Sequence, residues 1–228
     1  MSIQKVVTIH QPEHLPWCGY FNKMRLADHY VILDDVQFKK NNYQNRNRIL
    51  TPYGVKWLSV PIQMKGHISK TIQNMEVIPD WESKYWGLLA QSYGKHPFYK
   101  IYSEELNTIV FSGKTNILDI NMDWINFFRK LFQIKTPLSF SSSLGLQSTS
   151  TQRLVEICQR HEASEYLAGG GAKDYLETEL FDTANISLSY HDFSPRRYSQ
   201  HQIENFEPYM SALDLIMNVE PNSYHEYI

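Results

Sequence analysis

A chain of 228 residues with 22 Lys and Arg against 24 Asp and Glu carries a formal net charge of −2. That near-balance excludes a nucleic-acid binder working by counterion release over a broad basic face, while leaving room for a local basic pocket. The length fits one large domain. Its 14% aromatic content, with 15 Tyr, 11 Phe and 5 Trp, supplies rings either for a core or for a carbohydrate or base surface.

Lys5–His10 (KVVTIH) is a short β-branched run expected as a buried strand. Pro12 and Pro16 then forbid a helix interior and mark a loop, Gln11–Pro16. Trp17–Ala27 has apolar residues at near-helical spacing, and His29–Asp34 reads as a second strand ending in the acid pair Asp34 and Asp35. Strand, loop, helix and strand in this order predict a βαβ unit with parallel strands. A polar, Asn- and Arg-rich stretch, Lys39–Arg48, leads to an added strand over Val55–Ile62, with Pro52–Gly54 as its turn. The middle reads as a helical insert of about 81–132, with helices over Trp81–Tyr93, Pro97–Phe111 and Asn116–Phe132. Leu138–Ser143 is a third main strand, Thr151–His161 an amphipathic helix capped by Ser150 or Thr151, and Glu165–Ala168 a short strand. Gly169–Gly171 then leads into a helix over Ala172–Phe181, followed by a strand at Ile186–Tyr190 and a last helix over Ser211–Asn218. The expectation is a single α/β domain over 1–228, with a Rossmann-like, mostly parallel sheet and helices on both faces.

Two distant cysteines, Cys18 and Cys158, make neither a disulfide framework nor a zinc pattern. The N-terminus lacks a signal peptide's basic start and apolar core, and no run approaches the ~18 apolar residues of a membrane helix. A reduced, cytoplasmic protein without a membrane span is expected.

In an open α/β sheet, ligands bind beyond the carboxyl ends of the strands. The unusual chemistry of this chain gathers in those loops. His10, at the end of the first strand, suits a general acid or base, because an imidazole titrates near neutral pH. Its alternative role is a packed loop histidine. His10 and His14 have i, i+4 spacing, but the prolines make a loop rather than a metal-binding helix face. One of Asp34 and Asp35 could orient His10 or bind a substrate amine while the other caps backbone, since neighbours on a strand point opposite ways. Arg46 and Arg48, two apart on a strand, point together and could grip phosphate, or simply form a solvated loop. Gly169 and Gly170 would let backbone N–H groups approach an anion, helped by the next helix N-terminus; a structural turn is the competing reading. Neither cysteine is placed as a nucleophile, and Ser141–Ser143 lacks a nucleophile-elbow pattern.

The chain resembles the WbqC-like proteins of bacterial surface-polysaccharide and natural-product gene clusters. The resemblance rests on Ile9–Lys23 (IHQPEHLPWCGYFNK), Ala27-Asp28, Leu33–Phe38 (LDDVQF), Asn45–Asn47 and Trp57–Pro61. It continues through Tyr166–Gly169, Tyr175-Leu176, Tyr198, Gln200 and Ser211–Asn218, and departs at His14, where the family commonly has tyrosine. It implies a transferase that moves an acyl or aminoacyl group, from a carrier-protein thioester or another activated donor, to the amine of a nucleotide-linked amino sugar. His10 would deprotonate the amine, with Asp34 or Asp35 positioning it. Gly169, Gly170, Arg46 and Arg48 would hold phosphate, and Trp17, Tyr20 and Tyr198 would face sugar or base. Gln11, Lys23, Asn45, Ser142, Tyr175, Tyr190 and Gln200 complete the expected substrate side. Direct attack by the amine requires no protein nucleophile, metal or cofactor. Two alternatives stand beside it: a nucleotidyltransferase-like Rossmann enzyme, whose second motif Ile68–Ile72 superficially resembles, and a non-catalytic sugar- or partner-binding protein.

Overall fold

A computed structural model describes residues 4–201 and 203–228. The chain divides into two compact units. The first holds residues up to Gln11, Tyr20–Asp35 and Ile134–Ser194; the second holds Pro12–Gly19, Val36–Gln133 and Pro195–Ile228.

In chain order the elements are β1 (Val6–His10), α1 (Cys18–Arg25), β2 (His29–Ile32), β3 (Arg46–Thr51), β4 (Gly54–Ser59), α2 (Glu82–Tyr93), α3 (Tyr99–Val110) and α4 (Ile117–Leu131). They continue with β5 (Leu138–Phe140), α5 (Ser150–Arg160), β6 (Glu165–Ala168), α6 (Thr178–Thr183), β7 (Ser187–Tyr190) and α7 (Ala212–Asn218).

The first unit is a five-stranded parallel sheet in the order β5-β2-β1-β6-β7. Pleating sends alternate residues to opposite faces. Val7, Ile9, Val31, Tyr166 and Ala168 form one apolar face with Val155 and Cys158 of α5 and Phe181 of α6. Tyr30 points the other way, against Tyr20 of α1, with ring centroids 5.5 Å apart. Helices therefore flank both faces, as the sequence predicts for a Rossmann-like sheet.

The strand order steps outward from β1 in both directions, which places the topological switch between β1 and β6. The pairing there is short: only Val6 with Glu165 and Val7 with Tyr166 are in register, against four pairs each for β1–β2 and β6–β7. Where these strands part, side chains take over the buried carbonyls. Thr8 Oγ1 donates to the Leu167 carbonyl at 2.7 Å, and Lys23 Nζ to the Ile9 carbonyl at 3.3 Å. The splay brings a lysine to the strand ends.

In the second unit, β3 and β4 form a separate antiparallel hairpin, Arg46 facing Ser59 and Thr51 facing Gly54. The strand expected over Val55–Ile62 thus pairs with the Arg-rich stretch before it rather than joining the main sheet. Gly54, at φ 96°, takes a backbone conformation that residues with a Cβ rarely adopt. Every residue from Ala212 to Met217 is buried, so α7 forms the centre of this unit. On α4, Trp124, Phe127 and Phe128 pack ring against ring. Much of the aromatic content is therefore core.

Two local expectations need correction. The helix predicted over Ala172–Phe181 is a 3-10 turn at Gly170–Ala172, with α6 starting only at Thr178. The α5 cap is Thr149 rather than Ser150 or Thr151.

Candidate active site

At the carboxyl end of β1, His10 lies on the α1 face of the sheet, its ring edge-on to Tyr20 at 5.0 Å. Its Nδ1 lies 3.0 Å from the Gln11 carbonyl, which can only accept. In the neutral ring the proton therefore sits on Nδ1 and the lone pair on Nε2, the form a base needs. Burial first, then the nearby Lys23 ammonium, lowers the pKa from 6.5 to about 3, while the Gln11 carbonyl pulls the other way.

Lys23 is 2% exposed and reaches the strand ends from α1. A Cβ added to Gly169 would stand 4.0 Å from Lys23 Nζ, and one added to Gly170 only 3.1 Å from the His191 carbonyl. Gly170 thus permits close backbone approach. The half-charge of a following helix is not supplied, because a 3-10 turn stands there. Lys23 provides the positive field instead.

One residue of this cluster carries no sequence signal. His191, just after β7, has Nε2 2.7 Å from Asn22 Oδ1, and its pKa is lowered by burial and by Lys23. Histidines after a strand are common, and only the β6–β7 register brings this one beside Gly170.

Asp34 and Asp35 lie beyond the end of β2, so strand alternation does not separate them. Both reach Ser141. Asp34 accepts from Ser141 Oγ at 3.1 Å, from the Ser142 N–H at 3.0 Å and from Ser142 Oγ at 2.7 Å. Asp35 accepts from Ser141 Oγ and pairs with Arg153, a partner the sequence does not reveal. Among the described residues neither carboxylate bonds His10; Asp34, Asp35 and Ser142 tie the β2 end to the β5 end.

Tyr20 is buried beneath His10. Tyr190 shares the sheet face of Val7 and Ile9, opposite His10, with Lys173 Nζ 5.3 Å from its ring centroid. Tyr175 is 65% exposed in the turn after Ala172.

The other candidates belong to the second unit. His14 is fully buried, with Nδ1 3.0 Å from Asn121 Oδ1 and Nε2 2.7 Å from the Tyr85 hydroxyl; burial lowers its pKa to about 4. It anchors the proline loop. Asn45 Nδ2 donates to the Val60 carbonyl, Arg46 to the Asn41 carbonyl and Arg48 to the Tyr209 carbonyl. Gly169 and Gly170 fall in one unit and Arg46 and Arg48 in the other, so neither unit alone gathers the four phosphate-binding candidates. The Trp17 ring lies 5.5 Å from Tyr209 and would sit 2.2 Å from a Cβ at Gly19.

Tyr198 and Gln200 converge on Asp214, donating to Oδ2 at 2.8 and 2.7 Å. Asp214 is fully buried, and burial raises its pKa. In sequence it reads as an ordinary acid in the first turn of a helix. Burial, aided by Asp214, pushes the Cys18 thiol up to about 12, and burial does the same to Cys158 in the first unit. Neither is a thiolate at neutral pH. A hollow of about 380 Å³ is lined by Arg197, Tyr198, Gln200 and Glu204. Among the described residues, no group of three or more His, Cys, Asp or Glu side chains is placed to hold a metal ion, and no helix is long and apolar enough to cross a membrane.

A parallel sheet in Rossmann-like order, with a half-buried histidine and a buried lysine near its switch point, defines an α/β protein with a candidate site at its strand ends. The model of the WbqC-like protein family matches residues 11–226, and the chain belongs to that family. It is similar to the uncharacterized protein Rv1507c of Mycobacterium tuberculosis, 32% identical over 217 residues that cover 94% of each chain. No solved structure matches it.

Proposed function

We propose that the protein transfers an acyl or aminoacyl group from an activated thioester to the amine of a nucleotide-linked amino sugar. The observation that carries this reading is the neutral His10, with its lone pair on Nε2, beside the Lys23 ammonium at the switch point. The amine nitrogen attacks the thioester carbonyl, the C–N bond forms and the C–S bond breaks. The amine proton passes to His10 Nε2 and then to the departing thiolate. Lys23 attracts an anionic substrate, and that anion, by offsetting the ammonium's charge, raises the proton affinity of His10 when the substrate is in place. The high thiol pKa values of Cys18 and Cys158 agree with direct attack rather than a cysteine-bound intermediate.

Mass spectrometry of an amino-sugar nucleotide incubated with a carrier-bound aminoacyl thioester tests this directly. The product gains the mass of the acyl group with wild-type protein and not with His10→Ala; no adduct with wild type refutes the reading. The strand order also suits nucleotidyl transfer. Pyrophosphate release from a nucleoside triphosphate, without an acyl adduct, would favour that instead. The segment Ile68–Ile72 does not add to it, because Thr71 is bridged to Gln37 in the second unit.

A further inference from the structure

The balanced total charge conceals a local imbalance. Residues 36–75 contain seven Lys and Arg and no Asp or Glu, leaving 15 Lys and Arg against all 24 acids elsewhere, a net −9. This segment carries the β3–β4 hairpin, and the pleat sorts the hairpin into two faces. Asn47, Ile49 and Leu58 are buried on one face. Arg48 pairs with Trp57, and Arg46 and Val55 share that side, so the opposite face combines guanidinium and apolar groups.

Arg46 stacks 4.3 Å above the Trp57 ring, with Tyr43 at 5.7 Å from the same ring. Trp57 is 41% exposed and Val55 and Tyr43 each 39%, an exposed patch beside the exposed Lys39 and Lys40. Among the described residues, none of Lys39, Lys40, Arg46 and Arg48 pairs with a carboxylate. The two arginines donate to backbone carbonyls, which satisfy N–H groups but leave the positive charge uncompensated.

We infer that this hairpin face docks an acidic helix of a carrier protein that delivers the acyl group; this rests on the transfer reading. Carboxylates of the helix would meet the cations and an apolar side chain would cover Trp57. A six-residue strand pair spans roughly 20 Å, about four turns of a helix. Charges are felt only within about 8 Å at physiological salt, so a compact partner meets the basic patch alone. A polynucleotide gains affinity by neutralising many phosphates along an extended basic face, and four cations beside one hairpin supply few such contacts.

The test uses the full chain and a purified acidic acyl-carrier protein loaded with an aminoacyl thioester, alongside the same aminoacyl group on a small soluble thiol. Fluorescence anisotropy is expected to show salt-sensitive carrier binding, weakened roughly tenfold or more by Lys39→Glu/Lys40→Glu and severalfold by Trp57→Ala. Turnover of the small thioester is expected to be unchanged in the double variant. Carrier binding untouched by these substitutions overturns the inference. So does a single-stranded oligonucleotide binding more tightly than the carrier, or turnover of the small thioester with no carrier binding. Hairpin-dependent carrier binding without transfer from either donor would uphold the docking face and refute the transfer reading.

Discussion

His10 resists protonation chiefly through burial and the Lys23 ammonium, with a smaller push from His191, and the Lys23 charge can be removed without emptying the site. Lys23→Met is expected to raise the His10 pKa from about 3 toward its ordinary value of 6.5, read from the imidazole resonances in an NMR titration. An unmoved resonance would mean that the lysine charge does not reach the ring. The same burial has a consequence for stability. His10, His14 and His96 have folded pKa values of about 3, 4 and 4, all below the 6.5 of an open chain. Below pH 6.5 the unfolded chain therefore takes up protons that the folded one refuses. Their contribution is complete above that value and is lost as pH falls toward 4. For fully buried His14 the loss is on the order of 3 kcal/mol. Denaturant titrations at pH 7, 5.5 and 4.5 should show falling midpoints, flattened in His14→Gln after correction for that variant's lower starting stability.

At the level of elements, β1, α1 and β2 are legible because a β-branched run, near-helical spacing and two prolines all agree over residues 5–34. The β3 strand is harder to read, since Asn45–Arg48 is polar and its partner strand presents an exposed face. The missing helix after Gly171 has a different cause. The N–H of Ala172 bonds the Gly169 carbonyl at 2.9 Å, which closes a 3-10 turn instead of an α-helical one. Contacts between distant residues explain the unread parts of the site. His191 with Asn22, Arg153 with Asp35, and Tyr198 with Asp214 are joined by folding, and no local pattern announces them. Gly19 answers a local demand instead: the ring of Trp17, two residues earlier, would lie 2.2 Å from an added Cβ. Gly19→Ala is expected to cost about 1–3 kcal/mol in chemical denaturation, as overpacked sites do. A neutral result would mean that the indole has room to turn away.

For the whole molecule, the sequence points to the strand ends through β1 and the glycines after β6, while the strand order supplies the switch point near which His10 and Lys23 lie. Charge behaves similarly: a net −2 leaves the long-range field weak, while Lys23 is buried at the sheet and seven cations gather in residues 36–75. General-base transfer by His10 would contribute typically ~10²–10⁴-fold to the rate. The decisive measurement is the single-turnover rate of amide formation on an amino-sugar nucleotide, compared between wild type and His10→Ala at saturating substrate. Transfer by way of His10 requires a rate at least about a hundredfold lower in the variant, with nucleotide-sugar affinity changed little. An equal rate in the two proteins, or no amide with wild type, would contradict it.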